Sequence, residues 1–152
     1  MKRFTESELQ SWGIAALRIT VGAVLLAHGA QKLMLYGFAG TAGFFAHLGI
    51  PFPALSAVLS IGAEFLGGMA LILGLFTRPV AAILAFNMAV AVFGVHLKGG
   101  FFLPAGAEYA LTLLVANISL ALTGAGAFAL DHVVQPALKP WRHAPTAAPL
   151  RG

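Results

Sequence analysis

Residues 54–76, ALSAVLSIGAEFLGGMALILGLF, decide the fold. The only charged residue among these 23 is Glu64, ten positions in. A helix rising ~1.5 Å per residue needs ~20 residues to cross ~30 Å of hydrocarbon, and this run suffices. Its apolar residues are continuous rather than alternating, which excludes a strand of a lipid-facing barrel. A helix also satisfies its own backbone in lipid. Three further segments have the same character: 12–35, 79–97 and 106–126.

Composition agrees. Of 152 residues, 59% are hydrophobic and 9% are charged, and the mean hydropathy is +0.89. A soluble domain carries about a quarter charged residues. This excludes a disordered chain, a basic nucleic-acid-binding domain and an ordinary cytosolic enzyme. The predicted fold class is all-α, an integral-membrane four-helix bundle. Residues 1–131 form the one domain, and 132–152, with four prolines from Gln135 on, form a loosely ordered cytoplasmic tail. The nine Lys and Arg against five acids are scattered, so the predicted partner is the lipid bilayer and no nucleic acid. No cysteine is present, which excludes disulfides, thiol exchange by this chain and thiolate-held iron–sulfur clusters.

The breaks between spans are chemically marked. Pro51 and Pro53 precede the second span. Thr77 is placed to cap the third, with Pro79 in its first turn, where the missing N–H is harmless. Lys98-Gly99-Gly100 and Pro104 separate spans three and four, and Gly124 and Gly126 end the fourth. Residues 40–48, with Phe44, Phe45 and His47, read as a short interfacial helix. The N-terminus does not read as a signal peptide, because Glu6 and Glu8 follow Lys2 and Arg3, and Arg18 interrupts the apolar run. With four spans both termini share a side. That side collects Lys2, Arg3, Arg78, Lys139, Arg142 and Arg151 against Lys32 and Lys98 on the other, which predicts cytoplasmic termini.

Polar residues inside spans are costly and therefore informative. Span one has Arg18, His28 and Lys32; span two has Glu64 near the midplane; span three has Asn87 and His96; span four has Glu108 and Asn117. At ~100° per residue Arg18, His28 and Lys32 share an arc of about 80°, with Gly22 and Gly29 on the same side of the helix. Glu64 shares its face with Ala57, Ser60 and Gly68, small residues that let helices approach, so this face is expected to look into the bundle. The candidate site is an outward-opening polar pocket. Glu64 forms its floor, and His28, Lys32, His96 and Glu108 form its walls, with Tyr109 at the outer edge. Glu64, His28 and Glu108 are the candidate proton-handling groups. On an ideal helix Asn87 and His96 point to opposite sides. Arg18 reads as a structural ion-pair partner. Each residue also has a plainer reading: Lys32, Lys98 and Glu108 can snorkel, and Glu64 can be part of a salt bridge that fixes the bundle. No metal site is predicted, since no ligand spacing specifies one and Lys32 repels a cation.

The ordered set resembles the DoxX family of small four-span membrane proteins. It comprises Arg18 with Gly22, His28-Gly29-Ala30-Gln31-Lys32, Glu64-Phe65-Leu66-Gly67-Gly68, Gly74-Leu75-Phe76-Thr77-Arg78, His96 followed by Gly99-Gly100-Phe101-Phe102, Glu108-Tyr109, and Gly124-Ala125-Gly126 with Leu130-Asp131. The resemblance implies a four-helix bundle in a bacterial cytoplasmic membrane. It also implies membrane redox chemistry tied to sulfur or thiol metabolism, since relatives include subunits of thiosulfate:quinone oxidoreductases. One reading is therefore a quinone-binding oxidoreductase subunit. His28, Lys32, Glu64, His96, Glu108 and Tyr109 would hold the quinone, a partner protein would supply electrons, and the chain itself would form a homo-oligomer. Two other classes fit the same residues: a carrier of small anions attracted by Lys32 and Lys98, and a non-catalytic assembly factor whose polar set is a salt-bridge network.

Overall fold

The computed structural model describes residues 4–137, which are mostly helical with no strand among them. Helix α1 (Glu6–Gln31) opens on a reciprocal cap: Thr5 Oγ1 accepts the Glu8 N–H, and Glu8 Oε2 accepts the Thr5 N–H at 2.8 Å. It runs through a π-helical turn (Lys32–Tyr36) into α2 (Gly37–His47), where the sequence predicted the short helix. Helix α3 (Pro53–Leu73) has proline in its first turn and stops at Gly74, in the left-handed conformation at φ 67°. Helix α4 (Thr77–Val90) passes into a second π-helical stretch (Ala91–His96) and a 3₁₀ turn (Leu97–Gly99). Helices α5 (Glu108–Thr123) and α6 (Asp131–Ala137) complete the described chain. Helix α6 thus occupies the first residues of the predicted tail, and 138–152 lie outside the described residues.

Three helical runs are long and apolar enough to cross a membrane: Glu6–His47, Pro53–Leu73 and Thr77–Gly99. Helix α5, at 16 residues, measures about 24 Å and falls short of ~30 Å. Large apolar side chains such as Leu66, Phe86 and Leu122 point outward, at 60%, 73% and 73% exposure, as a lipid-facing surface requires. The interior is filled by Leu25, Leu71, Leu84, Met88, Leu113 and Leu120.

The α1–α3 crossing fixes the site. A Cβ at Gly29 would stand 2.5 Å from the Phe65 nitrogen, and one at Gly68 would stand 2.5 Å from the Leu26 nitrogen. Only hydrogen fits there, so the two backbones touch. Lys32, one turn beyond Gly29, is thereby set beside Glu64.

At the C-terminal end of α3 the structure corrects two expectations. Arg18 is no ion-pair partner, since among the described residues no carboxylate lies within salt-bridge distance of it. Its guanidinium donates to the carbonyls of Leu71 (2.7 Å), Ile72 (3.1 Å), Ala127 (3.2 Å) and Phe128 (3.2 Å). The cause is the end of α3, whose last carbonyls lack the full set of helical donors and carry partial negative charge, although Leu71 O also accepts the Gly74 N–H at 3.0 Å. Thr77 is not the cap of α4 either. Asp131 takes that role, with Oδ1 accepting the Phe76 N–H at 2.7 Å and Oδ2 the Thr77 N–H at 2.9 Å. A carboxylate at a helix N-terminus meets both its free N–H groups and its positive dipole end.

Candidate functional site

The site grows from one ion pair. Lys32 Nζ lies 2.6 Å from Glu64 Oε1 and also donates to Ser60 Oγ at 2.9 Å. Asn87 Nδ2 donates to the same Oε1 at 2.9 Å. Glu64 is 3% exposed and Lys32 is 23% exposed. The second carboxylate oxygen, Oε2, is buried and has no hydrogen-bond partner among the described residues. Three elements therefore supply one cluster: Lys32 from the end of α1, Ser60 and Glu64 from α3 one turn apart, and Asn87 from α4.

The cluster separates two cavities. On one side a cavity of about 230 Å³ is lined by His28, Tyr109, Leu25, Met88 and Leu113. On the other, a smaller one of about 120 Å³ is lined by Asn87, Val95, Phe44 and Phe45. Lys32, Glu64, Ala91 and His96 face both. Beyond Phe44 and Phe45 runs an apolar groove of about 670 Å³ bounded by Leu35, Tyr36 and Thr41, with Lys32 on its wall. His28 Nε2 and the Tyr109 hydroxyl are 3.4 Å apart, a long hydrogen bond, with their rings edge to face at 5.8 Å.

Asn87 and His96 come together against the expectation of opposite faces. On an ideal helix nine residues turn the chain by about 900°, leaving the two about 180° apart. The π-helical stretch Ala91–His96 holds an extra residue in its turn and sets His96 back by about 100°. Both side chains then line the cavity beside Phe44 and Phe45.

The other predicted site residues fall as follows. His28, Lys32, Glu64, His96 and Tyr109 share the larger cavity. Glu108 is turned to the loop before α5, where its Oε1 accepts the Leu103 N–H at 2.9 Å, and it is not part of the cavity wall. Lys98 is exposed on the 3₁₀ turn. Among the described residues no three His, Asp or Glu side chains converge as metal ligands. Ser60 and Asn87 were not singled out from sequence as site residues. The available signal was their type, since a polar side chain inside a span needs a partner, and the nearest costly group is Glu64.

Comparison with known proteins gives a consistent answer. The sequence model of the DoxX family matches residues 13–97. The chain is 35% identical over 122 residues to the protein named Putative oxidoreductase CatD of Bacillus subtilis (strain 168), covering 80% of this chain and 87% of that one. It is 38% identical over 123 residues to an uncharacterized protein of Haemophilus influenzae, covering 78% and 88%. It is 34% identical over 120 residues to Inner membrane protein YphA of Escherichia coli (strain K12), covering 75% and 84%. No solved structure matches it. With the family pattern matched over more than half of its length, and the Lys32–Glu64 pair inside the matched stretch, the chain is a membrane protein that belongs to the DoxX family.

Proposed function

We propose that this protein is a membrane subunit of a quinone-linked oxidoreductase system in a bacterial cytoplasmic membrane. In this reading the cavity between His28, Tyr109 and the Lys32–Glu64 pair receives the quinone head. The observation that carries it is Glu64, a residue of the cavity lining whose Oε2 is buried with no hydrogen-bond partner among the described residues. A buried carboxylate oxygen left without a donor is costly, and an incoming ligand can relieve that cost. The name of the Bacillus relative supports the oxidoreductase class.

The residues fit such a group in size and chemistry. The cavity of about 230 Å³ is smaller than the ~300–1,000 Å³ typical for drug-sized ligands, so it suits a single substituted ring. His28, His96 and Tyr109 offer hydrogen bonds to ring oxygens. When bound, a quinone would supply a couple of two electrons and two protons. Glu64 holds or releases a proton at Oε2, while Lys32 and Asn87 keep Oε1 in place. His28 and Tyr109 orient the ring from the opposite wall. Glu108 braces the loop beside Tyr109. This chain has no cysteine, so thiol or sulfur chemistry belongs to a partner protein or to the substrate.

The same reading places α5 as a fourth crossing, its 16 residues extended by the loop before it. Both termini are then cytoplasmic, on the Lys and Arg distribution.

The test is solvent extraction of the detergent-purified protein, followed by chromatography with ultraviolet detection. The expected result is stoichiometric quinone in the natural protein and its loss in His28→Ala. A folded sample without quinone, whose melting temperature added quinone also fails to raise, would overturn the reading in favour of solute binding or assembly.

A further inference from the structure

The end of the bundle remote from the Lys32–Glu64 pair holds a second polar cavity, of about 400 Å³, with Ser11, Arg78, Thr123, Gly124, Asp131 and His132 in its lining. At ~1.5 Å per residue the helix from Ser11 to Lys32 spans about 30 Å, the thickness of the hydrocarbon core. The cavity therefore lies at the opposite membrane boundary. Trp12 and Phe128, both exposed and edge to face at 4.6 Å, mark the same level, as aromatic side chains do where lipid meets water.

Arg78 is the uncompensated charge of this cavity. All five acidic side chains of the sequence lie among the described residues, and the salt bridge there is Lys32–Glu64, so Arg78 pairs with none of them. Gly124 gives its guanidinium a seat. A Cβ at Gly124 would stand 3.1 Å from Arg78 Nε and 3.7 Å from Nη2, so the group rests against bare backbone that is itself part of the lining. Asp131 is already committed: its two oxygens accept the Phe76 and Thr77 N–H groups. Arg18, bound to the Ala127 and Phe128 carbonyls just before it, sets a second positive charge against it. Two guanidinium groups against one carboxylate leave one positive charge in excess. His132 Nε2 donates to the Gly126 carbonyl at 2.8 Å, since a carbonyl only accepts, and Nδ1 becomes a further donor when the ring is cationic. The Thr123 hydroxyl donates to Ser119 O at 2.7 Å, which leaves its oxygen as an acceptor for a ligand hydroxyl.

We infer that this cavity binds a phosphate-bearing anion through Arg78, and that the anion is the headgroup of an acidic phospholipid. A guanidinium fork matches two phosphate oxygens at once. A basic pocket between helices at the membrane boundary is placed to take a phospholipid headgroup from the bilayer. The exposed side chain of Leu122, one residue before Thr123, puts lipid-facing surface at the edge of the cavity, where the acyl chains of such a lipid would lie. The inference stands apart from the quinone reading, since it uses none of the residues around Glu64.

The experiment uses the full chain in a non-ionic detergent with three probes: short-chain phosphatidylglycerol, short-chain phosphatidylcholine and soluble glycerol phosphate. Binding is read by titration calorimetry. Phosphatidylglycerol is expected to bind more tightly than phosphatidylcholine, and Arg78→Gln is expected to weaken it about ten-fold, the scale of one charge-assisted hydrogen bond. A second measurement needs no variant. Phenylglyoxal modifies accessible arginines, and peptide mass spectrometry locates the product. Phosphatidylglycerol is expected to protect Arg78 more than Arg3, Arg142 or Arg151. Binding of glycerol phosphate as tight as that of the lipid, with the same loss in Arg78→Gln, overturns the lipid as the source and keeps the phosphate site. Equal binding of the two lipids overturns the inference, as does phosphatidylglycerol binding that Arg78→Gln leaves unchanged. Protection spread evenly over the four arginines also overturns it, since the attraction is then that of a diffuse basic surface. Binding of none of the probes overturns it outright.

Discussion

Arg18 and Glu64 carry opposite charges at two depths of the same bundle, and the structure treats them differently. Arg18 is fully buried, and its two terminal nitrogens donate to four backbone carbonyls at the end of α3 and in the chain before α6, of which Leu71 O also receives the Gly74 N–H. Its planar fork suits this, because it can reach several oxygens in fixed directions. Arg18→Met keeps the apolar stem and removes every donor. It is expected to destabilise the protein by about 3 kcal/mol, from stranded carbonyls rather than lost packing. Arg18→Lys is expected to recover only part of this, since an ammonium cannot span the same four oxygens. Denaturation in mixed detergent micelles checks both. A loss below about 1 kcal/mol in Arg18→Met would mean that those carbonyls find other donors. Glu64, in contrast, has one oxygen doubly bound and one free, so it is incompletely satisfied by the protein. Arg18 Nε likewise has no partner among the described residues, so the difference is one of place: Glu64 lines a cavity, whereas Arg18 joins α1 to the end of α3.

Among the elements, the α1–α3 pair and the π-helical stretches do the positioning. The glycine contacts at Gly22, Gly29 and Gly68 draw α1 against α3 until Lys32 reaches Glu64. The stretch Ala91–His96 then rotates His96 onto the face that Asn87 occupies. The first turn of α1 is a separate, solvent-exposed device. The Thr5 N–H and then the Thr5 hydroxyl hold the Glu8 carboxyl below the ordinary glutamate value of ~4.3. A carboxyl lowered on folding stabilises the helix end at any pH above its unfolded value. That contribution is lost as the pH falls through the folded value. Protection of the first-turn amides from hydrogen exchange is therefore expected to be level from pH 7 to about 5 and to fall below about 4. Thr5→Ala is expected to abolish the dependence. A flat protection profile in the natural protein would remove the capping box from solution.

For the molecule as a whole, the surface is apolar where lipid lies and the polar cluster is internal, the inverse of a soluble bundle. The proposed four crossings have a direct test. Green fluorescent protein fused after Gly152 is expected to fluoresce, and alkaline phosphatase fused after Ile50, in the loop before α3, is expected to be active. Phosphatase active after both Ile50 and Gly152 would mean an even number of crossings between them, so that α5 does not cross.

The helices and their placement in lipid were legible from composition and from runs such as 54–76, because burial in hydrocarbon acts on each residue where it stands, and a helix closes its own hydrogen bonds. The face shared by His28 and Lys32 was legible for the same reason, since helical periodicity is local. Pairing was not. Whether Lys32 meets Glu64, whether Arg18 finds an acid or four carbonyls, and whether Asp131 caps α4 all depend on how closely two helices approach and at what rotation. A glycine contact and a single extra residue in a π-turn set those quantities. They act between elements distant in sequence, so only the packed structure could decide that Asn87 and His96 join the site and that Glu108 serves a loop instead.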